Sequence, residues 1–317
     1  MREIIDCTSD AIKKAAQALK DGNLVAFPTE TVYGLGADAT NERAVRRIYS
    51  VKGRPADHPV IVHIPSVQSL EIWADEIPTY AVKLANEFWP GPMTLILKRN
   101  VLAKDFITGR QNNVGIRVPA HSSALELLHK FEKIGGQGVA APSANRFGAV
   151  SPTTALAVKS EIGQFLNEKD QILDGGQSLI GLESTIIDCT DIAPMILRPG
   201  AITDDLIRNL IGGLLVIKKS STRASGMLGS HYSPSAKVLL GSSANPGEGF
   251  LALANIPTPV GAIRLAAPID IPNYARDLYC ALRLGDQQGL STIVVLPPEG
   301  TGLSEAIRDR LNKAAGR

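Results

Sequence analysis

The chain contains the stretch Phe27-Pro28-Thr29-Glu30-Thr31-Val32-Tyr33-Gly34-Leu35-Gly36, directly after a short apolar segment that begins at Leu24. Proline has no N–H to donate to a strand ladder, so a buried strand is expected to end at Phe27. Two hydroxyls, a carboxylate and a phenol then stand beside Gly34 and Gly36, which let the backbone turn and leave space for a ligand. The stretch therefore predicts one wall of a ligand site. The alternative is a tight strand-to-helix turn whose Thr and Glu side chains cap the next helix.

Length and composition limit the class of protein. A chain of 317 residues exceeds the usual size of one domain, so two domains are expected. The formal net charge of +2 is too small to favour nucleic acid or an anionic membrane as an electrostatic partner. No signal peptide begins the sequence, and no apolar run approaches the ~18 residues of a membrane span. Three widely spaced cysteines without zinc-ligand spacing favour reduced thiols and a cytoplasmic location.

A basic cluster, defined here as the five cations between Arg43 and Arg54, follows the opening stretch. Residues 41–50 are predicted to form a helix, and a glycine and a proline place Lys52 and Arg54 on a loop after it. Cations on such a loop suit a polyanion such as a triphosphate. The alternative is a solvated basic face.

Polar side chains also interrupt apolar strands further along the chain. Arg117 lies beside Gly115 on a strand whose other face is apolar, and a ligand carboxylate is favoured over an internal salt bridge as its partner. His63 lies on a similar strand, where a hydrogen-bonded core role is more common, and its closeness to the basic cluster keeps a functional role open. Residues 138–141 form a strand of small residues that runs into Pro142-Ser143-Ala144-Asn145, as the first strand runs into the opening stretch.

The last third of the chain is predicted to be a linker followed by a small domain. Residues 218–234 lack helical periodicity and are rich in small polar residues. Residues 220–234 are expected to form a lid over the cavity, because they carry side chains whose burial is favourable only when the segment docks: Met227, Leu228, His231 and Tyr232. Beyond them, amphipathic helices alternate with predicted strands at residues 237–240, 260–264 and 292–296. This pattern predicts a small parallel α/β domain, and no catalytic constellation is evident in it.

These motifs, in this order, resemble the YrdC-like domain of threonylcarbamoyl-AMP synthases. The resemblance covers about residues 8–205 and rests on the opening stretch from Pro28, Lys52-Gly53-Arg54-Pro55, Ser143-Ala144-Asn145, Ser184-Thr185-Ile186-Ile187-Asp188 and Leu197-Arg198-Pro199-Gly200. Gly226-Met227 and His231-Tyr232-Ser233-Pro234, with the trailing domain, are similar to the two-domain branch of that family. The resemblance implies a catalytic domain at 1–205, a connecting segment and lid at 206–234, and a small α/β domain at 235–317.

The implied fold is α/β: a twisted mixed sheet with a large open cavity, plus a small Rossmann-like parallel α/β C-terminal domain. The implied activity is that of an L-threonylcarbamoyladenylate synthase, a nucleotidyltransferase that converts L-threonine, bicarbonate or CO2, and ATP into threonylcarbamoyl-AMP and pyrophosphate. The product serves the N6-threonylcarbamoyl modification of adenosine 37 in tRNAs that read codons beginning with A. Mg²⁺ is expected to accompany ATP, without a metal bound tightly by the protein. A tRNA threonylcarbamoyl transferase complex is the expected downstream partner, with RNA as a further candidate and no membrane.

The resemblance also implies a role for individual residues. The threonine-binding set is Thr31, His63, Arg117, Ala141 and Ser184. The ATP-binding set is Arg54, His58, Asn113, Ser143, Ser151 and Arg198, with His231 or Tyr232 as the contact from the linker. Lys52 and Arg54 are expected to hold the phosphates and support catalysis. The sequence has no Walker A motif, so side chains and Mg²⁺ must hold the phosphates.

Two rival functions are weaker. A translation factor that binds double-stranded RNA or tRNA would use the basic cluster, but the net charge is small and the cluster lacks neighbouring aromatic residues for stacking. A carbamoyl transferase of hydrogenase maturation carries a related domain, together with cysteine-rich zinc motifs and an acylphosphatase module. Neither feature occurs in this sequence.

Overall fold

The computed structural model describes residues 3–212, 222–224, 232–241 and 243–316. Three linker residues with predicted contacts, Met227, Leu228 and His231, lie outside these ranges. The described residues form a large mixed α/β unit and a smaller parallel one, as predicted.

The large unit is built on one ten-stranded sheet with the strand order β1-β8-β2-β3-β7-β4-β6-β5-β9-β10. Its strands are β1 (Ile4–Asp6), β2 (Val25–Phe27), β3 (Gly34–Asp38), β4 (Ile61–His63), β5 (Met93–Lys98), β6 (Asn113–Arg117), β7 (Val139–Ala140), β8 (Gln171–Asp174), β9 (Thr185–Asp188) and β10 (Met195–Arg198). Its helices are α1 (Ser9–Lys20), α2 (Glu42–Lys52), α3 (Thr79–Phe88), α4 (Asp105–Thr108), α5 (Ser122–Lys133), α6 (Ala155–Ile162) and α7 (Asp204–Ile211).

The small unit is a four-stranded parallel sheet with the order β11-β14-β12-β13. Its elements are β11 (Lys237–Leu240), β12 (Gly249–Leu251), β13 (Ile263–Ala266), α8 (Ile271–Gln287), β14 (Thr292–Val295) and α9 (Leu303–Ala315). The sequence did not predict β12, because three residues are too few to show an alternating pattern. The predicted strand at 260–264 begins three residues too early, since Gly261 has φ +78 and belongs to a turn.

The opening stretch connects two strands rather than a strand and a helix. Strand β2 ends at Phe27 as predicted, and β3 then runs antiparallel to it, with Phe27 opposite Gly34. The strand-to-helix alternative is therefore wrong, and both glycines lie within β3 instead of a turn. A Cβ at Gly36 would lie 2.8 Å from the Val139 side chain, so glycine here permits close packing of neighbouring strands.

The two units share an apolar core. Three side chains of the large unit, Val32, Val150 and Leu182, are buried in the same cluster as the helices α8 and α9. Arg283 of α8 also forms an ion pair with Glu161 at 2.7 Å. The small unit is thus packed firmly against the segments that surround the opening stretch. The domain boundaries at residues 205 and 234 stay predictions.

Candidate active site

The predicted threonine-binding residues surround one small cavity of about 50 Å³. The cavity lining includes the whole threonine set and four residues of the ATP set: Thr31, His63, Arg117, Ala141, Ser184, Arg54, Ser143, Arg198 and Tyr232. They come from the β2–β3 loop, the loop after α2, the paired strands β4 and β6, the end of β7, the adjoining ends of β9 and β10, and the linker residue Tyr232. A volume of this size has room for only a few water molecules.

Four other predicted residues lie outside this cavity: Lys52, His58, Asn113 and Ser151. Ser151 lies behind the cavity wall, where its hydroxyl donates to the cavity residue Glu183 at 2.5 Å. A much larger groove of about 1640 Å³ is lined by one of the predicted substrate-binding residues that the structure describes, Asn113. We assign the site to the smaller cavity, because the cationic and hydroxyl side chains converge there.

Arg117 and His63 stand side by side, since β4 and β6 are parallel with these two residues in register. Arg117 donates from Nη1 to Thr31 Oγ1 at 2.9 Å and from Nη2 to Glu30 Oε1 at 2.7 Å. The internal salt bridge that the sequence reading placed second is thus present, and both side chains of the pair are buried. A guanidinium has five N–H groups, so these bonds leave capacity for a ligand carboxylate, whose binding by Arg117 stays a prediction.

His63 is a neutral imidazole in this site. Burial, with a further contribution from the neighbouring Arg117 guanidinium, lowers its pKa to about 3. It can therefore offer a hydrogen bond to a substrate at neutral pH without adding charge next to Arg117.

The depressed pKa of His63 predicts a pH-dependent loss of stability. Below pH 6.5 the unfolded chain gains a proton on this imidazole, and the folded chain gains none until about pH 3, so folding becomes less favourable as the pH falls. Between pH 7.5 and pH 5 the wild-type free energy of unfolding should fall by about 2 kcal/mol more than that of His63→Asn. Urea unfolding at each pH measures this difference, and His129→Asn, at an exposed position on α5, is the control. Parallel pH curves for wild type and His63→Asn would contradict it.

Lys52 and Arg54 are buried, which excludes the solvated-face interpretation for these two cations. Lys52 ends α2 rather than lying on a loop, because the helix continues to Gly53, its left-handed cap. Its ammonium donates to the carbonyls of Ser143 at 2.5 Å and Asn145 at 2.6 Å. Burial and the nearby Arg54 lower the pKa of Lys52 below its ordinary value. Lys52 thus fixes the Ser143–Asn145 turn, whereas Arg54 reaches the cavity itself.

The other cations of the basic cluster do not form a continuous basic surface. Arg46 pairs with Glu42 at 2.6 Å on the exposed face of α2. Arg47 makes a bidentate contact with the buried carboxylate of Asp170. Within the described basic cluster, Arg43 is exposed and makes neither of these contacts. This arrangement weakens the interpretation of the cluster as an RNA-binding face.

Ser184 is held from two sides at the start of β9. Arg198 donates to its carbonyl from Nε at 3.0 Å and to its hydroxyl from Nη2 at 3.1 Å. Thr94 of β5 is hydrogen bonded to the same hydroxyl at 2.7 Å. Arg198, a predicted ATP contact, is thus bonded directly to Ser184, a predicted threonine contact.

The described parts of the linker lie against the large unit and, at Tyr232, also against α8 of the small unit. Tyr232 is buried with φ 62, and its ring lines the cavity and stacks on Tyr279 at a centroid distance of 5.9 Å. Thr222 accepts a hydrogen bond from Asn113 at 3.3 Å, and Arg223 pairs with Asp57 at 3.1 Å. Tyr232 thus lines the cavity, and its contact with ATP stays a prediction. The lid role of residues 220–234 stays a prediction, since most of them lie outside the described residues.

Sequence reasoning missed Glu183, a buried carboxylate in the cavity wall. The available signal was an acidic residue directly before two hydroxyl residues at the start of a strand. Its partners Tyr279 and Arg310 carry no such signal, because they are about 100 or more residues away in sequence.

Two general features complete the description of the site. Among residues 3–212, 222–224, 232–241 and 243–316, no group of three or more His, Cys, Asp or Glu could hold a metal ion. None of the helices in the described part of the chain has the length and apolar character needed to cross a membrane.

Comparison with known proteins places the whole chain in one family. The Sua5/YciO/YrdC family model, described as telomere recombination, matches residues 17–200, and a model described as the C-terminal domain of threonylcarbamoyl-AMP synthase matches residues 202–316. A threonylcarbamoyl-AMP synthase of Pyrococcus abyssi is 40% identical over 96% of this chain and 94% of its own length. One from Bacillus subtilis is 37% identical over 96% and 93%. The crystal structure of Pyrococcus abyssi Sua5 complexed with L-threonine matches with a TM-score of 0.89 and 38% identity, covering 99% of this chain and 98% of that one. The chain therefore belongs to the threonylcarbamoyl-AMP synthase family, with both of the family's matched regions present.

Proposed function

We propose that this chain is an L-threonylcarbamoyladenylate synthase, which forms threonylcarbamoyl-AMP and pyrophosphate from L-threonine, bicarbonate or CO2, and ATP. The observation that carries the proposal is the convergence of Thr31, His63, Arg117, Ala141 and Ser184 on one cavity. A relative with the same fold, Pyrococcus abyssi Sua5, was crystallised with L-threonine.

The chemistry needs no protein nucleophile, which fits a cavity lined by hydroxyls and cations. The amine of threonine captures CO2 and releases a proton to give a carbamate. A carbamate oxygen then attacks the α-phosphorus of ATP, and the bond to the bridging oxygen breaks as pyrophosphate leaves. Positioning of the reactants, neutralisation of phosphate charge and exclusion of water supply the catalysis.

The cavity offers a group for each of these tasks. Arg54 and Arg198 bring two guanidinium groups to the side where we place the phosphates. Arg117, with Thr31 and the neutral His63, forms the side where we place the threonine. Enclosure of the substrates by these walls keeps bulk water from a labile carbamate.

Pyrophosphate release from ATP tests the proposal. It should require L-threonine and bicarbonate together, and mass spectrometry should identify threonylcarbamoyl-AMP as the second product. ATP turnover that is indifferent to threonine would refute it. A salt-sensitive affinity for double-stranded RNA without ATP turnover would instead favour the RNA-binding translation factor.

The wider setting of the reaction is part of the same proposal. Mg²⁺ enters with ATP as part of the substrate, and a separate tRNA threonylcarbamoyl transferase complex consumes the adenylate. The three free cysteines, Cys7, Cys189 and Cys280, suit a cytoplasmic location.

A further inference from the structure

The small unit contributes two side chains to a buried polar cluster beside the cavity. Arg310 of α9 donates from Nε to Glu183 Oε2 at 2.9 Å, and the pair is almost fully buried. Tyr279 of α8 donates its hydroxyl to the same oxygen at 2.9 Å. From the large unit, Ser151 donates to Glu183 Oε1 at 2.5 Å. Glu183 therefore connects a cavity wall to two helices of the small unit.

This cluster keeps the Glu183 carboxylate ionised. Burial alone would raise its pKa, but the positive charges of Arg310 and Arg198 outweigh burial and, with the hydrogen bond from Ser151, lower the pKa to about 2. Desolvating two charges in a core costs free energy, so a buried pair adds little to stability compared with apolar packing. Its position beside the cavity points instead to a role in function.

Arg310 also reaches two further parts of the site. Its Nη2 donates to the carbonyl of Pro199 at 3.0 Å, next to Arg198. Its guanidinium carbon lies 5.4 Å from the ring centroid of Tyr232. A single guanidinium thus contacts the wall formed by the end of β10 and the described end of the linker.

We propose that Arg310, acting through Glu183 and Pro199, is a positioning residue for the ATP side of the active site. This inference rests on the proposed function. The groups that it orders are all members of the predicted ATP set: Ser151, Arg198 and Tyr232. On the threonine side, Arg117 bonds to Thr31 and Glu30 within the large unit. Ser184 is connected to Arg310 only through Arg198 and its chain neighbour Glu183, so a smaller effect is expected on that side.

The test measures the binding of Mg–ATP and of L-threonine separately, by calorimetry on the full chain, together with kcat and both KM values. Arg310→Lys keeps the charge but loses the planar fork that spans Glu183 and Pro199. The Kd and KM for ATP should rise about tenfold or more, with the Kd for threonine within about twofold of wild type.

Two further variants separate positioning from general stability. Arg308→Met is the matched control, since Arg308 lies on the same helix and donates to the carbonyls of Pro298 and Gly300 within the small unit. It should leave both affinities unchanged. If Arg310 acts through Glu183, the substitution Arg310→Lys should weaken ATP binding less in the Glu183→Gln variant than in the wild-type chain.

The outcomes are distinguishable. A folded Arg310→Lys variant with normal ATP affinity overturns the proposal, as does an equal loss of ATP and threonine affinity with a lower Tm, which marks a purely structural role. If Arg310→Lys does not fold, Tyr279→Phe removes one donor to Glu183 without changing charge. It should weaken ATP binding by about threefold and spare threonine binding, and normal ATP binding overturns the proposal. Failure of the wild type to release pyrophosphate with both co-substrates would refute the proposed function, and the ATP-binding comparison would still decide the role of Arg310.

Discussion

Lys52→Ala and Arg54→Ala are each expected to lower kcat by about 10² or more, because Arg54 supplies a cation for the developing charge at the transferring phosphate and Lys52 holds the turn that brings Ser143 to the same cavity. Arg54 lines the cavity directly. Lys52 acts one step further back, since its ammonium holds the carbonyls of Ser143 and Asn145 in the turn that carries Ser143 to the cavity. Steady-state pyrophosphate release at saturating substrates measures both effects.

Exposed cations of the same cluster provide the controls for this result. Arg43→Ala and Arg46→Ala remove equal charge from α2 at positions that face solvent, so their kcat should stay near the wild-type value. Circular dichroism and the Tm establish that each variant is folded. Near-normal kcat in both Lys52→Ala and Arg54→Ala, with the fold retained, would show that the two cations have no catalytic role.

Arg117→Lys is expected to raise the KM for threonine by about tenfold or more and to change the KM for ATP by less than about threefold. Lysine keeps a positive charge beside the buried Glu30, which avoids leaving that carboxylate without a cation. It loses the planar fork that can bond Glu30, Thr31 and a ligand carboxylate at the same time. KM values for both substrates, measured on the same preparation, test this split.

The matched control for Arg117→Lys is Arg47→Lys. Arg47 also pairs with a buried carboxylate, Asp170, but it lies on α2 away from the cavity. Its substitution should reduce the Tm and leave both KM values unchanged. A larger effect of Arg117→Lys on ATP than on threonine would move Arg117 to the phosphate side and refute the assignment.

Much of the site was predictable because its residues follow local signals. Pro28 ends β2 by removing a ladder donor, and the residues after it form one wall of the cavity, as the opening stretch predicted. The alternation around His63 and Arg117 indicated strands, and the parallel pairing of those strands places the two side chains together. In each case the sequence pattern and the sheet geometry determine where the side chain lies.

The remaining contacts depend on tertiary packing that local patterns do not encode. An arginine on an amphipathic helix usually faces solvent, yet Arg310 is fully buried because its helix docks against the large unit. Lys52 was expected on a loop, but α2 continues two residues beyond its predicted end and stops at Gly53, so Lys52 lies on the helix and is buried. The internal partner of Arg117 is Glu30, a residue of the opening stretch itself, and no spacing rule relates positions so far apart.

The apolar core shared by the two units has a consequence for how such a chain matures. Val32, Val150 and Leu182 are covered by α8 and α9, which begin at Ile271 and Leu303 and are therefore synthesised long after all three. Until the last third of the chain has left the ribosome, these side chains form an exposed apolar patch on the large unit. Chaperone capture or premature self-association is the hazard of that interval. Docking of the small unit buries these three side chains and places Arg310 against Glu183 of the cavity wall.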